Sequence, residues 1–301
     1  MKTRLGARRV IRNVLFLGLP SLLIGGCVTI TQPTQGSVVS NPVAAAVTVK
    51  LPQYCDSFKV TLDGADVTGQ FSPLPPGGTP SQANFASLAG GNHTLAASAN
   101  TLQYWVLIPY CGADGDSATF TVPVTVGAPP PGSPNCFPFG GNFSGASSGR
   151  YQQLYSASAF PGPITITALK FFDTQAPVLG GATSLPSGSW AIALSTTSAT
   201  LNTLSANFAA NVGSNNTPVF SGNLTQPWAL GDTLTIPLST PFTYVPANGN
   251  LLMDVTVSNL TPTSCFIYFD ATGSSDLPST VTGHVDSDGV FNGYGLVTGF
   301  Y

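Results

Sequence analysis

The sequence predicts an all-β protein built as two β-sandwich domains, and three observations carry that expectation. Apolar runs of about four to nine residues recur along the chain and end at Gly, Pro, Asn or Asp, which is the pattern of short strands closed by turns. Gly (33) and Pro (26) are abundant in 301 residues, and no stretch keeps a helical period for three turns. A proline-dense segment at residues 127–134 (Gly-Ala-Pro-Pro-Pro-Gly-Ser-Pro) divides the chain. Its composition favours a short, stiff polyproline II spacer. The hydrophobic content of 43%, with 18 Phe, supplies each side with the apolar residues that a core needs.

Taken in order, the chain opens on a basic stretch, Lys2, Arg4, Arg8, Arg9 and Arg12, followed by an apolar run at residues 14–24. That run is too short for a bilayer span, which takes about 20 residues, and suits the apolar part of a signal peptide. Pro20 inside it fits a cleaved element. The run ends Ile24-Gly25-Gly26-Cys27, a string that resembles the bacterial lipobox. The resemblance implies a signal peptide at residues 1–26, cleavage before Cys27, and acyl chains on its thiol and new amino group. Two or three such chains hold a protein stably on a membrane. Cysteine counting agrees with this. There are five cysteines, an exported chain prefers an even number for disulfides, and setting Cys27 aside leaves four. The expected location is the extracytoplasmic side of a cell envelope. Val28 in place of an Asp resembles the outer-membrane sorting pattern of Gram-negative bacteria.

The first domain is expected at residues 28–126. Within it Phe58, Val60 and Leu62 alternate with Lys59, Thr61 and Asp63, and Asp63-Gly64 closes that strand as a turn. The second is expected at residues 135–301. Trp190, Ile192 and Leu194 form one inward row, and Leu234, Ile236 and Leu238 another. Residues 250–258 give the clearest strand. Leu251, Met253, Val255 and Val257 share one face, and Leu252, Asp254, Thr256 and Ser258 the other, which reads as wet. Residues 266–269 are apolar on both faces and read as a covered strand, while residues 201–210 allow one or two helical turns. Cys55 and Cys111 lie upstream of the proline segment, and Cys136 and Cys265 downstream. Domains that oxidise locally would pair Cys55 with Cys111 and Cys136 with Cys265, out of three possible pairings.

Residues 30–43 (ITQPTQGSVVSNPV), 58–71 (FKVTLDGADVTGQF) and 88–97 (LAGGNHTLAA) resemble bacterial immunoglobulin-like surface modules. The resemblance implies an immunoglobulin-like sandwich serving as a spacer or adhesive unit, with its first strand starting at Val28 beside the lipid. Residues 150–167 (RYQQLYSASAFPGPITIT), 192–211 (IALSTTSATLNTLSANFAAN) and 241–254 (PFTYVPANGNLLMD) resemble exported bacterial β-sandwich proteins of the PEP-CTERM kind. Residues 293–301 look like the final strand of that group. This implies a larger jelly-roll-like or immunoglobulin-type sandwich and export, and it implies no reaction. The Pro-Glu-Pro sorting tail is missing from the sequence, and the N-terminal lipid is expected to replace it.

Composition narrows the chemistry. Beyond Cys27 the basic side chains are Lys50, Lys59, Arg150 and Lys170, against twelve Asp and no Glu. That balance excludes the basic patch of a nucleic-acid binder. With His93 and His284 as the only histidines, a multi-histidine metal centre is excluded as well. His284, Asp286 and Ser287 are too close in sequence to converge as a triad, and no Gly-x-Ser-x-Gly elbow accompanies them. His93 reads as a surface turn residue. Asp286 and Asp288 alternate as in calcium loops but lack a later acidic ligand. They read as turn formers, like Asp114 and Asp116, with a single Ca²⁺ as the alternative. Trp105, Trp190 and Trp228, with Tyr104, Tyr151, Tyr155, Tyr244, Tyr268, Tyr294 and Tyr301, read as packing residues. A sugar-stacking platform is the other use for such side chains. The expected function is non-enzymatic: an envelope lipoprotein displaying one sandwich on an immunoglobulin-like stalk, with an adhesive or structural role. The alternative is a carbohydrate-binding surface protein using exposed aromatics of the second domain. An Asp-dependent hydrolase is a third reading. No cofactor is expected, and the expected partners are the membrane and an envelope protein or polysaccharide.

Overall fold

The structure is a computed structural model. It describes residues 26–50, 53–78, 80–105, 108–128, 134–141, 143, 145–176, 178–262, 264–273, 280–287, 291–292 and 294–301. The described residues form an all-β fold with several sheets, one short α-helix and a few 3-10 turns.

The upstream strands are β1 (Val28–Gln32), β2 (Ser37–Val38), β3 (Val43–Val49), β4 (Tyr54–Leu62), β5 (Ala65–Asp66), β6 (Ser81–Phe85), β7 (Gly91–Trp105), β8 (Ile108–Val122) and β9 (Val124–Val126). One sheet runs β1-β3-β6, and another runs β2-β8-β7-β4-β5. Their inward rows meet in a single buried cluster. Val28, Val43, Val47, Val49 and Phe85 come from the first sheet, and Val60, Leu62, Leu95, Phe120 and Val122 from the second. The β4–β5 turn forms because Asp63 (φ 51°) and Gly64 (φ 82°) both hold positive φ. A two-residue hairpin of this hand needs that conformation, and Asp-Gly supplies it.

The downstream elements are β10 (Pro134–Asn135), β11 (Gly149–Tyr155), β12 (Ile164–Phe172), β13 (Ser187–Thr197), α1 (Phe208–Asn211), β14 (Thr217–Gly222), β15 (Thr233–Tyr244), β16 (Asn250–Thr261), β17 (Phe269–Thr272), β18 (Thr282–Asp286), β19 (Phe291–Asn292), β20 (Gly295–Leu296) and β21 (Thr298–Phe300). A six-stranded sheet has the order β14-β13-β16-β11-β18-β19. A four-stranded sheet has the order β15-β12-β21-β9, and a small one β10-β17-β20. One buried cluster draws on all three. Trp190, Ile192, Leu194, Met253 and Val255 enter from the six-stranded sheet, Ile166, Phe171, Leu234, Ile236 and Phe300 from the four-stranded one, and Phe269 and Leu296 from the third.

The structure differs from the sequence reading at several points. Strand β9 was placed upstream, but it pairs with β21 in register Val124↔Phe300, and Val124 and Val126 belong to the downstream cluster. The two clusters therefore part between Val122 and Val124. The segment after Val126 joins two strands of the downstream assembly, and Pro134 already lies in β10, paired with Asp270. The centre of the expected linker, residues 129–133, lies outside the described residues. The two assemblies also touch directly. Asn92 of β7 donates to Thr165 Oγ1 and accepts from the Thr165 amide (both 3.1 Å), and its own amide donates to the Pro163 carbonyl (2.9 Å).

The expected wet face of β16 is wet only at Thr256 and Ser258, because Leu252 and Asp254 are buried. The segment around α1 covers that end of the strand. Asn211 donates to Gln152 Oε1 (2.8 Å), Gln152 donates to the Phe208 carbonyl (3.1 Å), and Arg150 lies over the Phe208 ring. Under this cover Arg150 makes a two-pronged pair with Asp254 through Nε (2.9 Å) and Nη2 (2.5 Å). The hydrogen bonds to Asp254 raise the Arg150 pKa further above its ordinary value, which fits a carboxylate whose charge is matched where it is buried. Residues 266–268 are irregular, and the expected strand there begins only at Phe269.

Candidate functional site

Cys27 is half-buried with a free thiol, and strand β1 begins at the next residue. Its position is fixed by the main chain on both sides. The Cys27 carbonyl accepts from the Lys50 amide (2.9 Å), and the Cys27 amide donates to Asp114 Oδ2 (2.5 Å). The same oxygen accepts from the Val28 amide (3.3 Å), and Asp116 Oδ2 accepts from the Ile30 amide (2.8 Å). The Asp114-Gly115-Asp116 string was read as a turn, yet it lies within β8. The period-two geometry of strands explains its use. Carboxylates two residues apart on β8 face amide groups two residues apart on β1, so side chains do the work of a strand ladder between two sheets. Gly26 and Cys27 line a hollow together with Thr101, Tyr104, Tyr110 and Asp114. Residues 1–25, with the basic stretch and apolar run, lie outside the described residues.

The other four cysteines form two bonds, Cys55–Cys111 and Cys136–Cys265. The first joins β4 to the outer part of the long β7–β8 hairpin, where Cys111 pairs with Leu102. The second ties the segment after β10 to the segment before β17.

The histidines have structural surroundings. His93 was read as a surface turn residue. It lies instead in β7, with its ring stacked on Phe120 and its nitrogens on Asp63 Oδ2 (2.7 Å) and the Ala89 carbonyl (2.8 Å). The sequence reads Asp286 as a turn former, yet Asp286 and His284 are both buried in β18, with the His284 ring stacked on Tyr151. His284 Nε2 is 3.7 Å from Asp286 Oδ2, and Nδ1 has no hydrogen-bond partner among the described residues. Ser287 does not join them, because its hydroxyl bonds the main chain of Arg150 through N (2.7 Å) and O (3.1 Å). Asp288 lies outside the described residues, and no group of three or more metal-ligating His, Cys, Asp or Glu occurs among the described ones.

Compared with known protein families and with curated proteins, the chain matches none. The reading of the site therefore rests on its geometry.

All the Trp and Tyr residues from position 135 onward are buried or half-buried. Trp190 packs on Phe139, Tyr155 on Phe300, and Tyr244 on Phe160. Trp228 packs on Phe269 and donates its indole N–H to Asp173 Oδ2 (3.0 Å). Burial raises the Asp173 carboxyl above the ordinary carboxylate range. The Trp228 bond opposes that shift, while the nearby Asp270 and Asp232 charges add to it. A raised folded-state value contributes stability that is complete below the unfolded carboxylate value of about 3.9 and is lost as pH rises through the folded one. Asp173→Asn keeps an acceptor for Trp228 and removes the titration. Its melting temperature should therefore fall less than the wild type's between about pH 4 and pH 7, as thermal unfolding at the two values would read. An unchanged difference would contradict the assignment.

Proposed function

We propose that the chain is a lipid-anchored protein of a bacterial cell envelope that displays a β-sandwich on an immunoglobulin-like stalk, in an adhesive or structural role without catalysis. On this reading the two buried clusters are the cores of two sandwiches. The observation that carries it is the seat of Cys27. Strand β1 starts at the very next residue, and Asp114 accepts from the Cys27 nitrogen. A chain that begins at Cys27 fits this seat in either chemical form, because an α-ammonium and an N-acyl amide both keep an N–H for Asp114. The string Ile24-Gly25-Gly26-Cys27 supplies the processing signal by its resemblance to a lipobox.

The core placement of the downstream aromatics favours display over sugar stacking, because a stacking platform needs ring faces open to the ligand. The test is metabolic labelling of the full chain in bacteria with tagged palmitate. Wild type should take up label, and Cys27→Ser should lose it while keeping both disulfides. Label that persists in Cys27→Ser would overturn the anchor.

A further inference from the structure

Resting on the lipid-anchor reading, we propose that Tyr104, Ile108 and Tyr110, at the outer end of the described β7–β8 ribbon, form a second membrane contact that enters the bilayer interface beside the acylated Cys27.

The hairpin is long, with each arm spanning 15 residues. Its neighbour β4 accompanies it only as far as Tyr54, which pairs with Thr101. Beyond that point no other described strand pairs with β7 and β8, which run on through Leu102↔Cys111 to Trp105↔Ile108. A two-stranded ribbon is marginal in water. Here the Cys55–Cys111 bond fastens its base to β4. The projecting part presents apolar surface on both faces. Tyr104 and Ile108 are each 66% exposed, and Tyr110 is 48% exposed. Ile108 and Tyr110 share one face by strand alternation, and Tyr104, opposite Pro109, is on the other.

Charge sets the orientation. No charged residue occurs in the sequence from 101 to 113, while Asp56, Asp114 and Asp116 stand behind it. The ribbon is thus uncharged ahead of the level of Cys27 and acidic at and behind it. Tyrosines with an apolar body and a polar tip are the side chains that settle at a headgroup boundary. Tyr110 keeps its hydroxyl on Gln103 Oε1 (2.8 Å). The position of Cys27 selects the bilayer as the occupant. Gly26 and Cys27 line the same hollow as Tyr104 and Tyr110, so acyl chains on Cys27 leave the fold beside this ribbon. Ile108 lies six residues along β8 from Asp114, roughly 20 Å at about 3.3 Å per residue. A ribbon inclined to the surface brings this outer end and the acylated residue to the interface together. One acylated residue holds the protein on the membrane, and a second contact fixes how the folded part stands on it.

The test is hydroxyl-radical footprinting of the full chain in vesicles of phosphatidylethanolamine and phosphatidylglycerol, read by mass spectrometry. Leu179 and Leu230, both exposed and remote in sequence, serve as references. The Cys27→Ser chain in buffer, without lipid, gives the open-surface rates. Modification of Tyr104, Ile108 and Tyr110 should drop by about fivefold in vesicles relative to the references, as burial of these side chains in the interface requires. Rates as high as in buffer, with Cys27 shown to be acylated, would overturn the inference and leave the anchor intact. Protection already present in buffer would overturn it in favour of a second copy or the chain's own apolar run. Protection by vesicles with Cys27 unmodified would keep the ribbon contact and overturn the anchor. A chain carrying Tyr104→Ser, Ile108→Ser and Tyr110→Ser changes only exposed side chains, and its gain of vesicle protection at the remaining ribbon residues should disappear.

Discussion

Replacing Cys136 and Cys265 together by serine should lower the free energy of unfolding by about 5 kcal/mol. The bond joins residues 129 apart in sequence, and the cost of closing so long a loop is otherwise met in the folding step. The Cys55–Cys111 bond closes a loop of 56, and the same argument gives about 4 kcal/mol for its removal. Urea denaturation of the two double variants measures both. A loss below about 1 kcal/mol for Cys136 and Cys265 would show that the bond does not constrain the unfolded chain.

The second large effect is expected at Phe139. Its ring lies 4.7 Å from that of Phe171, 5.4 Å from Trp190 and 6.1 Å from Phe269. These three come from the four-stranded, the six-stranded and the small sheet respectively. One side chain thus fills the place where all three sheets meet, and it is almost wholly buried. Phe139→Ala removes that ring and leaves a cavity whose walls belong to different sheets and cannot close easily. The expected cost is about 3–5 kcal/mol. Phe139 follows Cys136 by three residues, so the two losses share a segment and should combine to less than their sum. Full additivity would show that the disulfide does not help to hold Phe139 in place.

Both sites illustrate what the sequence made legible. Strand alternation points directly to the inward rows Trp190, Ile192 and Leu194, and Leu234, Ile236 and Leu238, all buried except the half-buried Leu238. Local turn chemistry was equally readable, as at Asp63-Gly64. Periodicity identifies a face but not what lies over it, so the cover on Leu252 and Asp254 was not legible. That cover comes from the segment around α1, whose polar contacts to Gln152 span more than fifty residues. The same limit applies to Asp114 and Asp116. In sequence they are turn formers, and their partners on Cys27 and β1 are 86 to 87 residues away. Their i, i+2 spacing within an otherwise strand-like stretch was the available signal. Asp286 lies in a short polar string that reads as a turn, whereas β18 buries it near His284, whose ring stacks on Tyr151. Strand β9 was assigned upstream because the prolines after it mark a break in composition. The chain in fact crosses to its new sheet before them.

On the proposed reading, Cys27 carries the lipid that places this fold on a membrane. The mass of the N-terminal peptide of the full chain, purified from the membranes of a bacterial host, tests it most directly. The predicted result is a peptide that begins at Cys27 and carries a diacylglyceryl group in thioether linkage, with or without a further acyl chain on its nitrogen. A peptide that begins elsewhere, or that contains Cys27 with an unmodified thiol, would contradict the account.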